Sequence, residues 1–191
     1  MEIKPLGING AWLATSLLHF DERGSFREWF KQCDINEITG RNFSVQQANI
    51  SISRKGVLRG IHYSLAQEGQ AKWITCASGR VIDLIVDIRP NSPTFLKYEL
   101  IDLQASDGKA VYIGAGLGHG FLSIKEDSAV TYLLDSPFSP IDEFTINPLD
   151  PELRIEFPLN LLNGTSLILS AKDSCAPNLF ERLFQNQLPL L

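Results

Sequence analysis

No stretch of this sequence comes close to the roughly 20 consecutive apolar residues that a helix needs to cross a bilayer, so no membrane-spanning helix is expected. The opening segment MEIKPLGING lacks the basic and apolar regions of a signal peptide, and export is not expected either. Cysteine is scarce: Cys33, Cys76 and Cys175 are an odd number without close spacing. That argues against a disulfide framework and a zinc site, and it fits a reducing cytoplasm. Positive charge is also in short supply. With 17 Lys and Arg against 22 Asp and Glu, the formal charge is −5, which excludes a general nucleic-acid binder because phosphate backbones call for a basic surface. A small anion held by a few local arginines is still compatible with that balance.

What is present is a dense run of β signals. The 191 residues, 44% hydrophobic and 20% charged, suit a single domain over 1–191 with a substantial core. Short β-rich segments separated by turn residues fill about 11–157. They include AWLATSLLHF before the DERG turn, FSVQQANISIS, KWITCAS, VIDLIVDIR, LKYELIDLQ, KAVYI, GFLSI and SAVTYLL. Many short strands at this spacing predict an all-β antiparallel sandwich, jelly roll or small barrel. Two segments read as helices. CDINEITG has Asp34 as its expected N-cap and Gly40 as its stop. APNLFERLF, within a C-terminal helical segment at about 176–186, has Pro177 in its expected first turn and an apolar stripe of Leu179, Phe180, Leu183 and Phe184.

Several strands alternate in a way that bears on chemistry. In SVQQANISIS, Ala48, Ile50 and Ile52 share one face, and Gln47, Asn49, Ser51 and Ser53 the other. The first face is expected to be core and the second wet; alternatively, the amide-rich face lines a ligand cavity. In VIDLIVDIR, Asp83 and Asp87 oppose Ile82, Leu84, Val86 and Ile88. Two carboxylates on one face suit acid–base work, whereas Asp87 beside Arg89 suits a structural ion pair, the reading preferred here.

The three histidines are tested first as metal ligands. β-barrel metal sites commonly carry two histidines one residue apart on a strand, but His62 is followed by Tyr63 and Ser64. His119 in GAGLGHGF lies where the third ligand would be expected, but two imidazoles without the rest make a weak site, and His19 adjoins a turn, so no metal is expected. A neutral imidazole at His62 is instead available as a general base, helped by any carboxylate that orients it. The segment GVLRGIHYS poses a geometric question. Arg59 and His62 are three apart on a strand and should face opposite ways, unless Gly60 bulges the strand and turns both toward one cavity.

Taken in order, DERGSFREWF, QQANISISRKGVLRGIHYS, QAKWITCASGRVIDLIVDIRPNSPTF, GLGHGFLSI, VTYLLDSPFSP, DEFTINPLDPEL and LSAKD carry a resemblance over nearly the whole length. The chain resembles the dTDP-4-dehydrorhamnose 3,5-epimerase family, metal-free enzymes of the cupin jelly-roll fold that need no cofactor. The resemblance implies a dTDP-4-keto-6-deoxyhexose substrate, inverted at the two carbons flanking its ketone. It makes His62 the base, Asp173 its carboxylate partner, Lys72 the enolate stabiliser and Tyr132 the acid on the opposite face. It assigns Arg23, Arg59 and His119 to the diphosphate, and Phe26, Glu28, Gln47 and Asn49 to the thymidine. Ser51 and Glu143 match further pocket positions. It also implies a homodimer in which the DERGSFRE segment reaches the partner's site. Two departures stand out: Phe138 occupies a place where tyrosine or tryptophan is common, and Ser64 replaces a frequent glutamine. The Phe138 change keeps a single-carbon epimerase open as the second reading, and a nucleotide-sugar-binding cupin without catalysis as a third.

Overall fold

Alternating apolar residues draw the strands into two layers that share a core. The computed structural model describes residues 1–190. The first half of the chain forms strands β1 (Glu2–Pro5), β2 (Ala11–Thr15), β3 (His19–Asp21) and β4 (Gly24–Phe26), then helix α1 (Gln32–Thr39), then β5 (Gln47–Ser53), β6 (Leu58–Ser64), β7 (Lys72–Ser78) and β8 (Arg80–Asp87). The second half adds β9 (Tyr98–Gln104), β10 (Lys109–Ile113), β11 (Leu117–Ser123), β12 (Ser128–Leu134) and β13 (Glu143–Thr145), followed by helices α2 (Ala171–Ser174) and α3 (Leu179–Phe184). One sheet has the order β1-β2-β10-β7-β12-β5 and the other β13-β6-β11-β8-β9, with β3 and β4 forming a separate hairpin. All these strand pairings are antiparallel. The result is the expected jelly roll.

Between the sheets lie Ile74, Cys76, Val111, Ile113 and Val130 from the larger sheet, packed against Val81, Ile85, Ile101, Leu103, Leu117 and Phe121 from the smaller. The outer face of the smaller sheet is covered by C-terminal residues, Leu153, Leu179 and Leu188 among them, which bury Ile61, Tyr63, Leu84, Val86 and Ile88. Central strand β8 is therefore apolar on both faces apart from its two aspartates. Asp87 is spent on Arg89, Ser92 and Thr94, at 2.5–2.9 Å from their donors, so the structural reading of this residue holds.

Three local expectations need correction. The core begins before residue 11, because β1 pairs with β2. Lys31 occupies the N-cap position of helix α1 without a side-chain capping bond, and Asp34 lies in the first turn, where its carboxylate meets the helix dipole. Helix α3 starts at Leu179 after a capping box of Asn178 and Glu181, which leaves Pro177 outside it. Only part of its apolar stripe is used: Leu179 is buried, whereas Phe184 is 89% exposed.

The largest departure concerns β5. Ala48 is exposed, and Ile50 and Ile52 are 63% and 64% exposed, while the amide-bearing face turns inward. A period-two pattern identifies two faces but cannot say which of them meets the core when both sides of a sheet can be covered.

Candidate active site

The inward faces of both sheets meet around a cavity of about 140 Å³ lined by Ser51, Arg59, His62, Lys72, His119, Gly120, Phe121 and Tyr132. Each wall comes from one sheet. Ser51 on β5, Lys72 on β7 and Tyr132 on β12 form one side; Arg59 and His62 on β6, with His119 and Phe121 on β11, form the other. Alternation explains most of these orientations, since Lys72 shares a face with Ile74 and Cys76, and Tyr132 with Val130.

Arg59 and His62 require something more. Opposite β11, His62 pairs with His119 while Arg59 pairs with Phe121, so three steps on β6 match two on β11. This is a β-bulge, and the extra residue turns both side chains into the cavity. Glycine is needed there twice over. Gly60 has φ +121°, and a Cβ on it would sit 2.6 Å from the Gly120 Cα. A Cβ on Gly120 would in turn lie 2.6 Å from the Arg59 carbonyl oxygen. The two backbones touch because neither carries a side chain.

Asp173, 111 residues further along the chain, lies 2.8 Å from the His62 Nε2 through Oδ1. It sits in the one-turn helix α2, whose Ser170 hydroxyl accepts from the Asp173 N–H. Burial pushes the Asp173 carboxyl up, but the His62 ring, Ser170 and the Gly60 backbone outweigh it and hold the carboxyl below its ordinary 3.8. Burial pushes the Lys72 ammonium down, with Glu143 and Asp83 pulling it back, and its ammonium has no hydrogen-bond or ion-pair partner among the described residues. Burial raises the Tyr132 phenol, opposed by Arg59 and a hydrogen bond with Asn49 and reinforced by Glu143, so Tyr132 keeps its proton. His62 with its carboxylate and the protonated Tyr132 phenol thus stand on facing walls of the cavity, which Lys72 also lines.

Five buried side-chain atoms have no partner among the described residues: Ser51 Oγ, Asp83 Oδ2, Glu143 Oε1, Thr145 Oγ1 and Arg27 Nη1. The first three belong to, or act electrostatically on, the cavity groups, and Thr145 pairs with His62 across β13 and β6. Unsatisfied buried polar atoms are rare in folded proteins; of these five, Ser51 Oγ belongs to a residue that lines the cavity itself.

Most sequence-predicted positions converge. Gln47 and Asn49 lie on the inward face of β5, with the Gln47 Nε2 donating to Asn49 Oδ1 at 2.9 Å and Asn49 directly opposite Tyr132. Phe138 is tied to them through its N–H, which donates to Gln47 Oε1 at 2.8 Å. Three do not converge. Arg23 pairs with Asp21, Phe26 projects from the exposed β3–β4 hairpin, and Glu28 borders a separate depression with Ser16, His19 and Lys31. Within one chain these residues line no part of the cavity. The sequence presents Asp83 only as one of two carboxylates on a strand face; its bond to His119, Oδ1 2.8 Å from Nε2, is not foreseen there. The available signal was a carboxylate alternating with Val81 and Ile85 on a strand otherwise apolar.

The model of the dTDP-4-dehydrorhamnose 3,5-epimerase family matches residues 5–181. A dTDP-4-dehydrorhamnose 3,5-epimerase of Mycolicibacterium smegmatis is 42% identical over 189 residues, 99% of this chain and 91% of the relative. Among solved structures, an epimerase from Mycobacterium tuberculosis is 38% identical and superposes with a TM-score of 0.95, covering 100% of this chain and 94% of that one. A 3'-monoepimerase from Streptomyces bikiniensis in complex with dTDP-quinovose is 40% identical with a TM-score of 0.91, covering 97% and 92%. With this likeness running end to end over the same two-sheet architecture, the chain belongs to the dTDP-4-dehydrorhamnose 3,5-epimerase family.

Proposed function

We propose that the protein epimerises a dTDP-4-keto-6-deoxyhexose at carbons 3 and 5, and that the cavity between the sheets holds the sugar. The observation that carries this reading is the opposition of His62 and Tyr132 on facing walls. Inversion requires a proton to leave one face of the ring and another to arrive on the opposite face, which one group alone cannot accomplish. The His62 imidazole takes the proton next to the ketone, and Asp173 steadies the imidazolium so formed. Negative charge moves onto the ketone oxygen, where the Lys72 ammonium meets it in a site with little water. The Tyr132 phenol, still protonated, then delivers a proton to the far face. Carbons 3 and 5 both adjoin the ketone, so one set of groups serves both after the ring shifts.

The Arg59 guanidinium offers cationic donors for the diphosphate, with the His119 imidazole lining the same wall. The cavity is too small for the whole nucleotide sugar, and the thymidine extends over the open edge of β5. We infer a homodimer that completes that edge. Exposed Ile50 and Ile52, and the solvent-facing Phe20 and Phe26 of the hairpin, give an apolar surface for a second copy. The hairpin of one chain would then carry Arg23, Phe26 and Glu28 to its neighbour's site. Three unpaired cysteines suit a cytoplasmic setting.

A second reading has its own support. The similarity to a 3'-monoepimerase matches that to the 3,5-epimerases, and Phe138 lacks the hydroxyl common in the family. Incubation with dTDP-4-keto-6-deoxyglucose in D2O, followed by NMR of the ring protons, separates the two. Exchange at both carbons is the expected result; exchange at only one, even at long times with excess enzyme, establishes the single-carbon reading.

A further inference from the structure

Strand β8 carries two inward carboxylates, and only one has a structural use. Asp87 is saturated by Arg89, Ser92 and Thr94. Asp83 is fully buried among Val81, Ile85 and Phe121, with its Oδ1 2.8 Å from His119 Nε2 and its Oδ2 unpartnered among the described residues. A carboxylate left partly unpaired in the interior is costly, and an apolar side chain would pack the same place more stably. Its presence therefore asks for a reason connected with the cavity.

The geometry offers one. His119 and His62 are cross-strand partners on β11 and β6, and each is gripped in the same way, Nε2 to an aspartate Oδ1 at 2.8 Å. In both rings this leaves Nδ1 without a protein partner among the described residues. The two pairs differ in access to solvent. The His62 side chain is 36% exposed, but that of His119 is only 11%, with Asp83 at 0%. The second pair thus sits in the dry part of the site, on the side where the Lys72 ammonium has no direct counter-ion. Asp83 and Glu143 are the carboxylates that act on that ammonium, and burial alone would draw its proton affinity down. The remaining charged or titratable groups around the cavity are Arg59, His62 with Asp173, and Tyr132.

We propose that Asp83 is a positioning residue of this site: its carboxylate fixes the His119 ring through Nε2 and balances the Lys72 ammonium, so imidazole and ammonium meet the substrate in set places. The proposal rests on the epimerase reading for what those two groups do, though not for the Asp83–His119 bond itself.

The test uses the full-length protein and two independent measurements. The first compares wild type with Asp83→Asn, which keeps shape and removes charge. A folded D83N is expected to lose about 10- to 100-fold in kcat, and the alkaline limb of its kcat–pH profile is expected to move to lower pH as Lys72 loses its counter-charge. The acid limb should change little, whereas KM should rise, because the His119 ring that faces the diphosphate is no longer held through Nε2. An unmoved alkaline limb, or activity equal to wild type, overturns the proposal. The second needs no variant: long-range 1H–15N spectra of the wild-type imidazoles are expected to show the His119 proton on Nε2 in the neutral ring. A proton on Nδ1 would leave Nε2 unable to donate to Asp83 and would overturn the proposal even if D83N does not fold. If wild type fails to turn over the nucleotide sugar, the epimerase reading falls, while the imidazole spectrum still judges the Asp83–His119 bond.

Discussion

Replacing Asp173 by asparagine preserves the volume beside His62 and removes only charge. In the folded protein the carboxylate accepts from His62 Nε2 at 2.8 Å, and the His62 side chain is 36% exposed. When His62 takes a proton, an imidazolium forms next to the carboxylate. Two unit charges about 4 Å apart at an effective dielectric of 20 attract by about 4 kcal/mol, which corresponds to about 10³-fold in rate. Partial solvent access screens some of this, so the expected loss in Asp173→Asn is about 10²- to 10³-fold. A second effect acts in the same direction, because an amide NH₂ turned toward Nε2 would favour the wrong tautomer. One base serves both carbons, so the loss should fall equally on exchange at carbon 3 and carbon 5. The assay is deuterium incorporation from D2O followed by NMR, with substrate saturating. Turnover within about fivefold of wild type at both carbons would refute the dyad, and a loss confined to one carbon would refute the single-base scheme.

The other predictions follow from the same residues. Gly60→Ala must place a Cβ 2.6 Å from the Gly120 Cα at φ +121°; about 1–3 kcal/mol of strain should appear as a lowered melting temperature, with activity falling further because the bulge aims Arg59 and His62. Gly164→Ala, where a Cβ meets nothing within 4 Å, serves as the control for backbone strain alone, and equal effects in the two variants would exclude the close contact as the cause. Burial lifts the Asp87 carboxyl, but bonds from Arg89, Ser92 and Thr94 hold it below 3.8. The charged form is thus favoured by folding, and its stabilisation is complete above that ordinary value and drains away as pH falls below it. Asp87→Asn should cost about 3–5 kcal/mol at neutral pH and flatten the acid dependence in denaturant titrations; an unchanged midpoint would contradict this. Phe138→Tyr adds a hydroxyl worth about 1 kcal/mol, or about fivefold in partition, and should narrow any gap between the two exchange rates; an unaltered ratio would remove Phe138 from the choice of carbon. Ile50→Glu on the exposed face of β5 should convert a dimer to a monomer by light scattering and weaken substrate binding, whereas a fully active wild-type monomer would dispose of the shared site.

Read alone, the sequence determined the architecture, because period-two alternation and turn residues are local properties. Strand β10 coincides with KAVYI, and Gly40 closes α1 in the left-handed conformation expected of it. It also determined family membership and, through that, the group His62, Lys72 and Tyr132. Tertiary structure alone decided what these residues face. Alternation divides β5 into two sides without naming the inner one, and packing turned the amides inward and left Ile50 and Ile52 outside. Spacing left Arg59 and His62 on opposite faces until pairing with β11 located the bulge at Gly60. The carboxylates are the clearest case. Asp173, 111 residues from His62, is known as its partner only through the family resemblance, and Asp83, which reaches His119 across 36, is paired with it by nothing in the sequence. No local pattern encodes such partners, since a hydrogen bond depends on where separate strands come to rest, and that is settled by burial of the whole core.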